Sequence, residues 1–255
     1  MTRGSEPRYR PASDVLKGRV VLVTGAGAGI GRVAALAYAR HGADVVLLGR
    51  TRSKLESVFD VIVAETATKP VIVPADLATL DEAAADNLAE AIRDDYGRLD
   101  GILHNASVLG PRVPVAHYPA DAWAEVMQVN AIAPVLLTRA LLPLLEAAPD
   151  ASIVFTSSGV GRVGRAYWGA YAVSKFATEG LSQTLADELE HTGVRVNALN
   201  PGGTRTAMRA AAYPAEDPAT LPEPEAHMDL YLYLMGPDSE GVTGRSIDAP
   251  AWRGP

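Results

Sequence analysis

The chain has 255 residues, 48% of them hydrophobic, no cysteine, and a net charge of −7 from 23 basic and 30 acidic side chains. That length fills one core, as a single domain with at most a small lid; the acidic balance argues against a polyanion-binding surface, and the absence of cysteine excludes disulfides, thiolate metal sites and cysteine nucleophiles. Apolar runs such as 131–137 are too short to cross a bilayer and no secretory signal is visible, so the expectation is a cytoplasmic protein that engages neither membrane nor nucleic acid.

Residues 1–17 are polar, contain two prolines, and read as a flexible lead-in to a domain over 18–255. A β-branched run, 19–24, ends in the turn Gly25-Ala26-Gly27-Ala28-Gly29-Ile30-Gly31, and a helical pattern follows over 32–41. Strand, glycine turn and helix together aim backbone N–H groups and a helix N-terminus at a phosphate. Gly-x-Gly-x-x-Gly does not fit these letters. Thr-Gly-x-x-x-Gly-Ile-Gly does, through Thr24, Gly25, Gly29, Ile30 and Gly31. Gly42 closes the helix, and the next strand, 44–48, ends in Leu48-Gly49-Arg50-Thr51-Arg52. An acid there would select NAD through the ribose 2′-hydroxyl, whereas an arginine accommodates the 2′-phosphate. The expected cofactor is therefore NADP(H), with Arg50 as first contact and Arg52 in support.

Alternation continues with a helix over 53–66, a strand over 71–73, a helix over 81–96 and a strand over 99–103 leading to His104-Asn105-Ala106-Ser107. One long helix is predicted over 121–147 and a strand over 152–155. The strand 194–199 precedes Pro201-Gly202-Gly203-Thr204-Arg205-Thr206. Regular βα repeats imply an α/β, Rossmann-type, doubly wound parallel sheet of about seven strands with helices on both faces and ligands at the strands' carboxyl ends. A proline- and acid-rich stretch within 207–228 reads as a lid, with Met208 and Tyr213 at its start and Glu216, Asp217, Glu223 and Glu225 farther on.

The stretch 156–180 carries the chemistry. Tyr171 and Lys175 stand four residues apart on a predicted helix, so phenol and ammonium share one face. Ser158 lies at the preceding strand end. A cation about 4 Å from a phenol favours the phenolate by roughly three pKa units at an effective dielectric near 20, before opposing desolvation is counted, which would bring Tyr171 toward working pH as a general acid/base. Ser158 would hold the substrate oxygen. Pro134 adds a local effect: it has no N–H, so the Asn130 carbonyl loses its helical partner and becomes available to a water.

These motifs, with Asn105-Ala106, Asn130 and Pro201-Gly202, resemble in order and spacing the short-chain dehydrogenase/reductase family over about 18–250. LDGILHNAS, VFTSSGVGR, WGAYAVSKFATEG and NPGGTRTAMRA look in particular like its YciK-like bacterial branch. The resemblance implies Tyr171 as acid/base, Lys175 as its pKa modulator and a ribose ligand, Ser158 as orienter of the substrate oxygen, and Asn130 as holder of a relay water. It further implies adenine contacts from Asp76 and Leu77, an adenosine-side contact from Asn105, and nicotinamide and pyrophosphate contacts from Pro201, Gly202 and Thr206, with Thr204 acting through its backbone. Homo-oligomers, tetramers or dimers, through helices 121–147 and 171–191 are also implied. Ser107 departs from the family's glycine and either crowds the nicotinamide or points away.

The sequence thus points to hydride transfer between NADP(H) and a carbonyl or alcohol, without a metal. The alternative is a nucleotide-binding sensor of the same fold without turnover. A serine hydrolase is disfavoured because no Gly-x-Ser-x-Gly elbow surrounds Ser157 or Ser158.

Overall fold

A computed structural model describes residues 9–255. Seven strands, β1 (Val20–Thr24), β2 (Asp44–Gly49), β3 (Val71–Pro74), β4 (Gly101–His104), β5 (Ala151–Thr156), β6 (Val194–Asn200) and β7 (Ser246–Asp248), form one parallel sheet in the order β3-β2-β1-β4-β5-β6-β7. Five of these strands are apolar almost without alternation, as expected where both faces are covered. Register aligns Leu22 with Val46 on one side and Ile102 on the other, and Ile102 with Ile153. Strand order reverses between β1 and β4, so a crevice opens there at the carboxyl ends.

Helices α3 (Glu82–Tyr96), α5 (Ala133–Glu146) and α6 (Gly169–Glu188) cover one face, where Leu88, Ile92, Leu137, Leu141 and Leu185 meet Leu22, Ile102 and Ile153. On the other face lie α1 (Gly29–Arg40), α2 (Arg52–Glu65) and α8 (Met228–Met235), with Tyr38, Leu55 and Tyr231 packed on Val21, Leu47 and Leu103. Asp81 caps α3 by accepting from the Ala84 N–H at 2.8 Å, and Gly97 ends it at φ 73°. Both follow from the residue types that favour such ends.

Two expectations are modified. The helix predicted over 121–147 is divided into α4 (Ala120–Met127), a π-helical turn (Gln128–Ile132) and α5. The Ala133 N–H reaches five residues back to the Gln128 carbonyl, and Pro134 then offers no donor with which to restore the ordinary pattern at Asn130. Of the predicted lead-in, residues 1–8 lie outside the described residues, and the rest is docked. Leu16 is fully buried and its N–H donates to the His41 carbonyl, while Tyr9 packs edge-on against Tyr233 and Trp252.

By length and composition alone, 120–146 would also suit a bilayer, but half of its most apolar window is buried inside this fold. Leu137, Leu141 and Leu145 in the core account for that apolar character.

Candidate active site

The crevice is a cleft of about 430 Å³ running from the glycine turn and the end of β2, past the ends of β4 and β5, to α6 and the segment after β6. Gly25, at φ 70°, leaves only 3.0 Å between an added Cβ and the Ala106 Cα, so the turn and the β4 loop touch through backbone. At Gly31 a Cβ would run into the Gly25 carbonyl and lie 2.6 Å from the Asn105 amide nitrogen. Gly29 adopts φ 53°. A Cβ is excluded at Gly31 and crowded at Gly25 by contact, and disfavoured at Gly29 by its φ, so the backbone of the turn and the α1 N-terminus border the cleft; such a surface suits a dinucleotide's phosphates.

Thr24 is buried below the cleft. Its hydroxyl donates to the Leu103 carbonyl at 3.3 Å and accepts from the N–H groups of Asn105 and Ala106 at 3.0 Å each. Asn105 extends the brace, donating to the Thr24 carbonyl and accepting from the Thr156 hydroxyl, both at 3.4 Å. Three strand ends are thereby tied together beneath one pocket.

Fourteen of the anticipated site residues line the cleft: Gly25, Gly29, Ile30, Arg50, Asp76, Leu77, Asn105, Ser158, Tyr171, Lys175, Pro201, Gly202, Thr204 and Thr206. Thr24, Gly31 and Asn130 stand outside its lining. Arg50 is exposed at one end. Arg52 is not there; it turns outward and pairs with Glu56 at 3.5 Å. Lys54 takes that place on the cleft wall, its Cβ 3.0 Å from where a Gly27 Cβ would stand. The i,i+4 spacing of Arg52 and Glu56 was the available signal that this arginine has a partner along its own helix.

At the other end, α6 brings Tyr171 and Lys175 to the same wall, both under 9% exposed. The Lys175 ammonium donates to the Thr156 carbonyl at 2.8 Å and sits 5.6 Å from the Tyr171 ring centroid. Gly161, in the short helical turn after Ser158, packs where a Cβ would come within 2.8 Å of the Lys175 carbonyl. Closeness of that loop to α6 therefore depends on glycine. The anticipated lowering of the phenol's pKa does not occur in the protein alone. Burial pushes Tyr171 up to about 12, against a smaller downward pull from the Ser158 and Ser107 hydroxyls. Burial also lowers Lys175 to about 8, partly opposed by the Glu179 carboxylate. The ammonium's charge is directed at the Thr156 carbonyl, while desolvation disfavours the phenolate.

Ser107, read as either crowding or averted, lines the cleft beside Tyr171. Its hydroxyl is buried and makes no hydrogen bond of regular geometry. Nothing in the sequence specified its direction beyond its place two residues after Asn105.

Asn130 is a brace. Its side chain donates to the Val108 carbonyl at 2.9 Å and the Ser174 hydroxyl at 3.0 Å, and accepts from the Val108 N–H at 2.8 Å. It fixes the loop after β4 to α6 one residue before Lys175.

Beyond the phenol the walls are apolar: Val108, Leu109, Trp168, Met208 and Ala212. The lid acids Glu216, Asp217, Glu223 and Glu225 do not line the cleft. Glu216 is held by Arg209 through two contacts of 2.6 Å, Glu223 pairs with Arg205, and Asp217 caps a turn at the Ala219 N–H. Tyr213 stacks behind the wall, between the Arg112 and Arg209 guanidinium groups and near Trp168. No group of three or more metal-ligating side chains occurs among the described residues.

Comparison with known proteins agrees with this architecture. The family model for short chain dehydrogenases matches residues 19–217. An uncharacterized oxidoreductase of Escherichia coli K12, YciK, is 53% identical over 247 residues, covering 97% of this chain and 98% of the relative. A solved structure of a short-chain-dehydrogenase-type protein from Pseudomonas syringae is 56% identical with a TM-score of 0.93, covering 94% of this chain and 98% of its own. A similar protein of Shigella flexneri 2a strain 301, solved in complex with NADP, is 53% identical with a TM-score of 0.92, covering 94% of this chain and all of its own.

Proposed function

The chain belongs to the short-chain dehydrogenase family, is an oxidoreductase of its YciK-like branch, and from that premise we propose that it is an NADP(H)-dependent carbonyl reductase or alcohol dehydrogenase with Tyr171 as general acid/base. The observation that carries this reading is the meeting of Ser158, Tyr171 and Lys175 at one end of a cleft whose other end is a glycine cradle flanked by Arg50 and Lys54. The cradle would hold the pyrophosphate. Arg50 and Lys54, the cations at the end of β2 and the start of α2, would hold the 2′-phosphate and set the preference for NADP(H) over NAD(H), a preference consistent with the NADP bound to the Shigella relative. Asp76 and Leu77 would border the adenine, and Pro201, Gly202, Thr204 and Thr206 the nicotinamide side.

NADP(H), when bound, supplies or accepts the hydride at its nicotinamide. The protein's own groups handle the oxygen. A phenol held near 12 keeps its proton at neutral pH, so Tyr171 is poised to donate to a carbonyl oxygen during reduction. Ser158 faces the same phenol and would orient that oxygen. Lys175, buried beside the ring, stabilises negative charge as it develops there. The apolar walls at Leu109, Trp168 and Met208 favour a substrate with an apolar body. Exposed Ile132, Val135, Val173 and Phe176, between 43% and 46% exposed, lie on the helices expected to pair copies of the chain. They support a homo-oligomer, and a soluble cytoplasmic setting without membrane or nucleic-acid partners accords with the acidic surface.

The test is oxidation of NADPH and NADH against a panel of carbonyl compounds, with Tyr171→Phe as control. The expected result is faster turnover with NADPH and a loss of roughly 10²–10⁴-fold in kcat for the phenylalanine variant, with NADPH binding retained. Unchanged turnover in that variant would remove Tyr171 from the mechanism. NADPH binding without turnover of any compound in the panel would favour a nucleotide sensor.

A further inference from the structure

Glu179 lies on α6 one turn beyond Lys175 and two beyond Tyr171, and it is 6% exposed. A buried carboxylate requires partners, and this one has three. The Ser157 hydroxyl donates to one oxygen at 2.5 Å and the Arg162 guanidinium to the same oxygen at 3.3 Å. The Ser246 hydroxyl of β7 donates to the other oxygen at 2.6 Å. The chain of contacts continues. Arg162 donates to Asp248 at 2.8 Å, Asp248 accepts from the Asn200 amide at 2.7 Å, and the Asn200 side chain accepts from the Gly202 N–H at 3.0 Å. Glu179 thus stands where two loops of the cleft converge: the Ser157–Ser158 strand end and, through Arg162 and Asp248, the Asn200–Gly202 segment.

We infer that Glu179 is a positioning residue for the reactive set, its buried carboxylate fixing the Ser158 strand end against α6 and setting the electrostatic environment of Lys175. The ionisable groups about Lys175 are Tyr171 and Glu179 on its own helix, Arg162 from the loop after β5, and Asp248 of β7 behind Arg162. Glu179 favours the ammonium, and Arg162 partly cancels that carboxylate. A residue that only fills space or ties loops would have no signed effect on the lysine. Only the description of the set as reactive depends on the oxidoreductase reading; the electrostatic link does not.

The experiment is a side-chain NMR titration of the four lysines of the full-length protein, with Lys175 assigned through Lys175→Arg, in the wild type, Glu179→Gln and Arg162→Gln. Glu179→Gln retains shape and hydrogen-bonding capacity but loses the charge, so Lys175 should release its proton at lower pH, by about one unit. Arg162→Gln unmasks the carboxylate and should move the same titration upward. Opposite signs support the inference; an unmoved Lys175 in Glu179→Gln, or shifts of equal sign, overturn it. Should Glu179→Gln not fold, the direction in the more exposed Arg162 variant decides, an upward move supporting and none overturning. NADPH oxidation by the wild type, followed alongside, separates the two claims: absent turnover counts against the enzyme reading while the direction of the Lys175 shifts still decides the electrostatic link.

Discussion

At the scale of single residues, the end of the cleft proposed to react sets two hydroxyls against the buried Tyr171 phenol. Ser158 and Ser107 both face the Tyr171 phenol, and Ser107 keeps a buried oxygen without a regular partner. A buried hydroxyl left unpaired is costly, and a substrate oxygen could satisfy it. Ser107→Gly should therefore leave NADPH affinity unchanged and lower kcat/KM for a carbonyl substrate by about tenfold, the equivalent of one ordinary hydrogen bond. Steady-state kinetics beside a fluorescence titration of NADPH checks this, and an unchanged kcat/KM would mean that Ser107 merely borders the pocket. The identities of Tyr171, Lys175 and Ser158 as a set were legible from their spacing on a helix and a strand end. The direction of the phenol's pKa was not, because the spacing encodes who is near but not how completely water is excluded. Burial outweighs the smaller hydroxyl contributions at this phenol.

At the scale of elements, six of the seven strands were legible as short runs rich in apolar residues, and the turn after β1 and the segment after β6 by their glycines; β7, Ser246-Ile247-Asp248, has no such run and was not located. The fold followed because parallel strands covered on both faces need such runs. The π turn at 128–132 carries no periodic signature. Pro134 was the one visible cue, and it indicated a lost hydrogen bond rather than the turn that would absorb it. The lid acids were illegible for a related reason. Whether Glu216 faces a pocket depends on Arg209, seven residues earlier and brought back by the end of α7 (Ala207–Ala212). Pro134→Ala restores an N–H that the Asn130 carbonyl can accept, so the π turn should relax toward α geometry and draw the Asn130 side chain away from Val108 and Ser174. Three hydrogen bonds, one buried and two partly buried, are then at risk, a destabilisation of about 1–3 kcal/mol. Chemical denaturation would measure it and a crystal structure of the variant would show the turn. Retention of the π turn at full stability would show that the turn is set by packing, with Pro134 incidental.

At the scale of the whole molecule, α6 has two occupied directions. Tyr171, Lys175 and Glu179 are buried toward the cleft and the sheet, while Val173 and Phe176 remain exposed on the outside, as do Ile132 and Val135 at the junction with α5. The π turn that carries Ile132 packs against α6, and Val135 lies three residues farther on at the start of α5. Large apolar groups gathered on neighbouring helices mark an association surface more often than a free one. If two copies meet there, burying each phenylalanine or valine side chain contributes roughly 1.5–3 kcal/mol, and a charge placed in the contact costs more than the apolar burial it replaces. Val135→Glu with Phe176→Glu should therefore convert the oligomer to monomer in sedimentation velocity, while the circular dichroism of the folded chain persists because neither side chain belongs to the core. Since the same helix carries the proposed reactive residues Tyr171 and Lys175 on its inner face, the monomer should also turn over more slowly, with NADPH still bound. A wild type that already sediments as a monomer at micromolar concentration would rule this surface out as a self-contact.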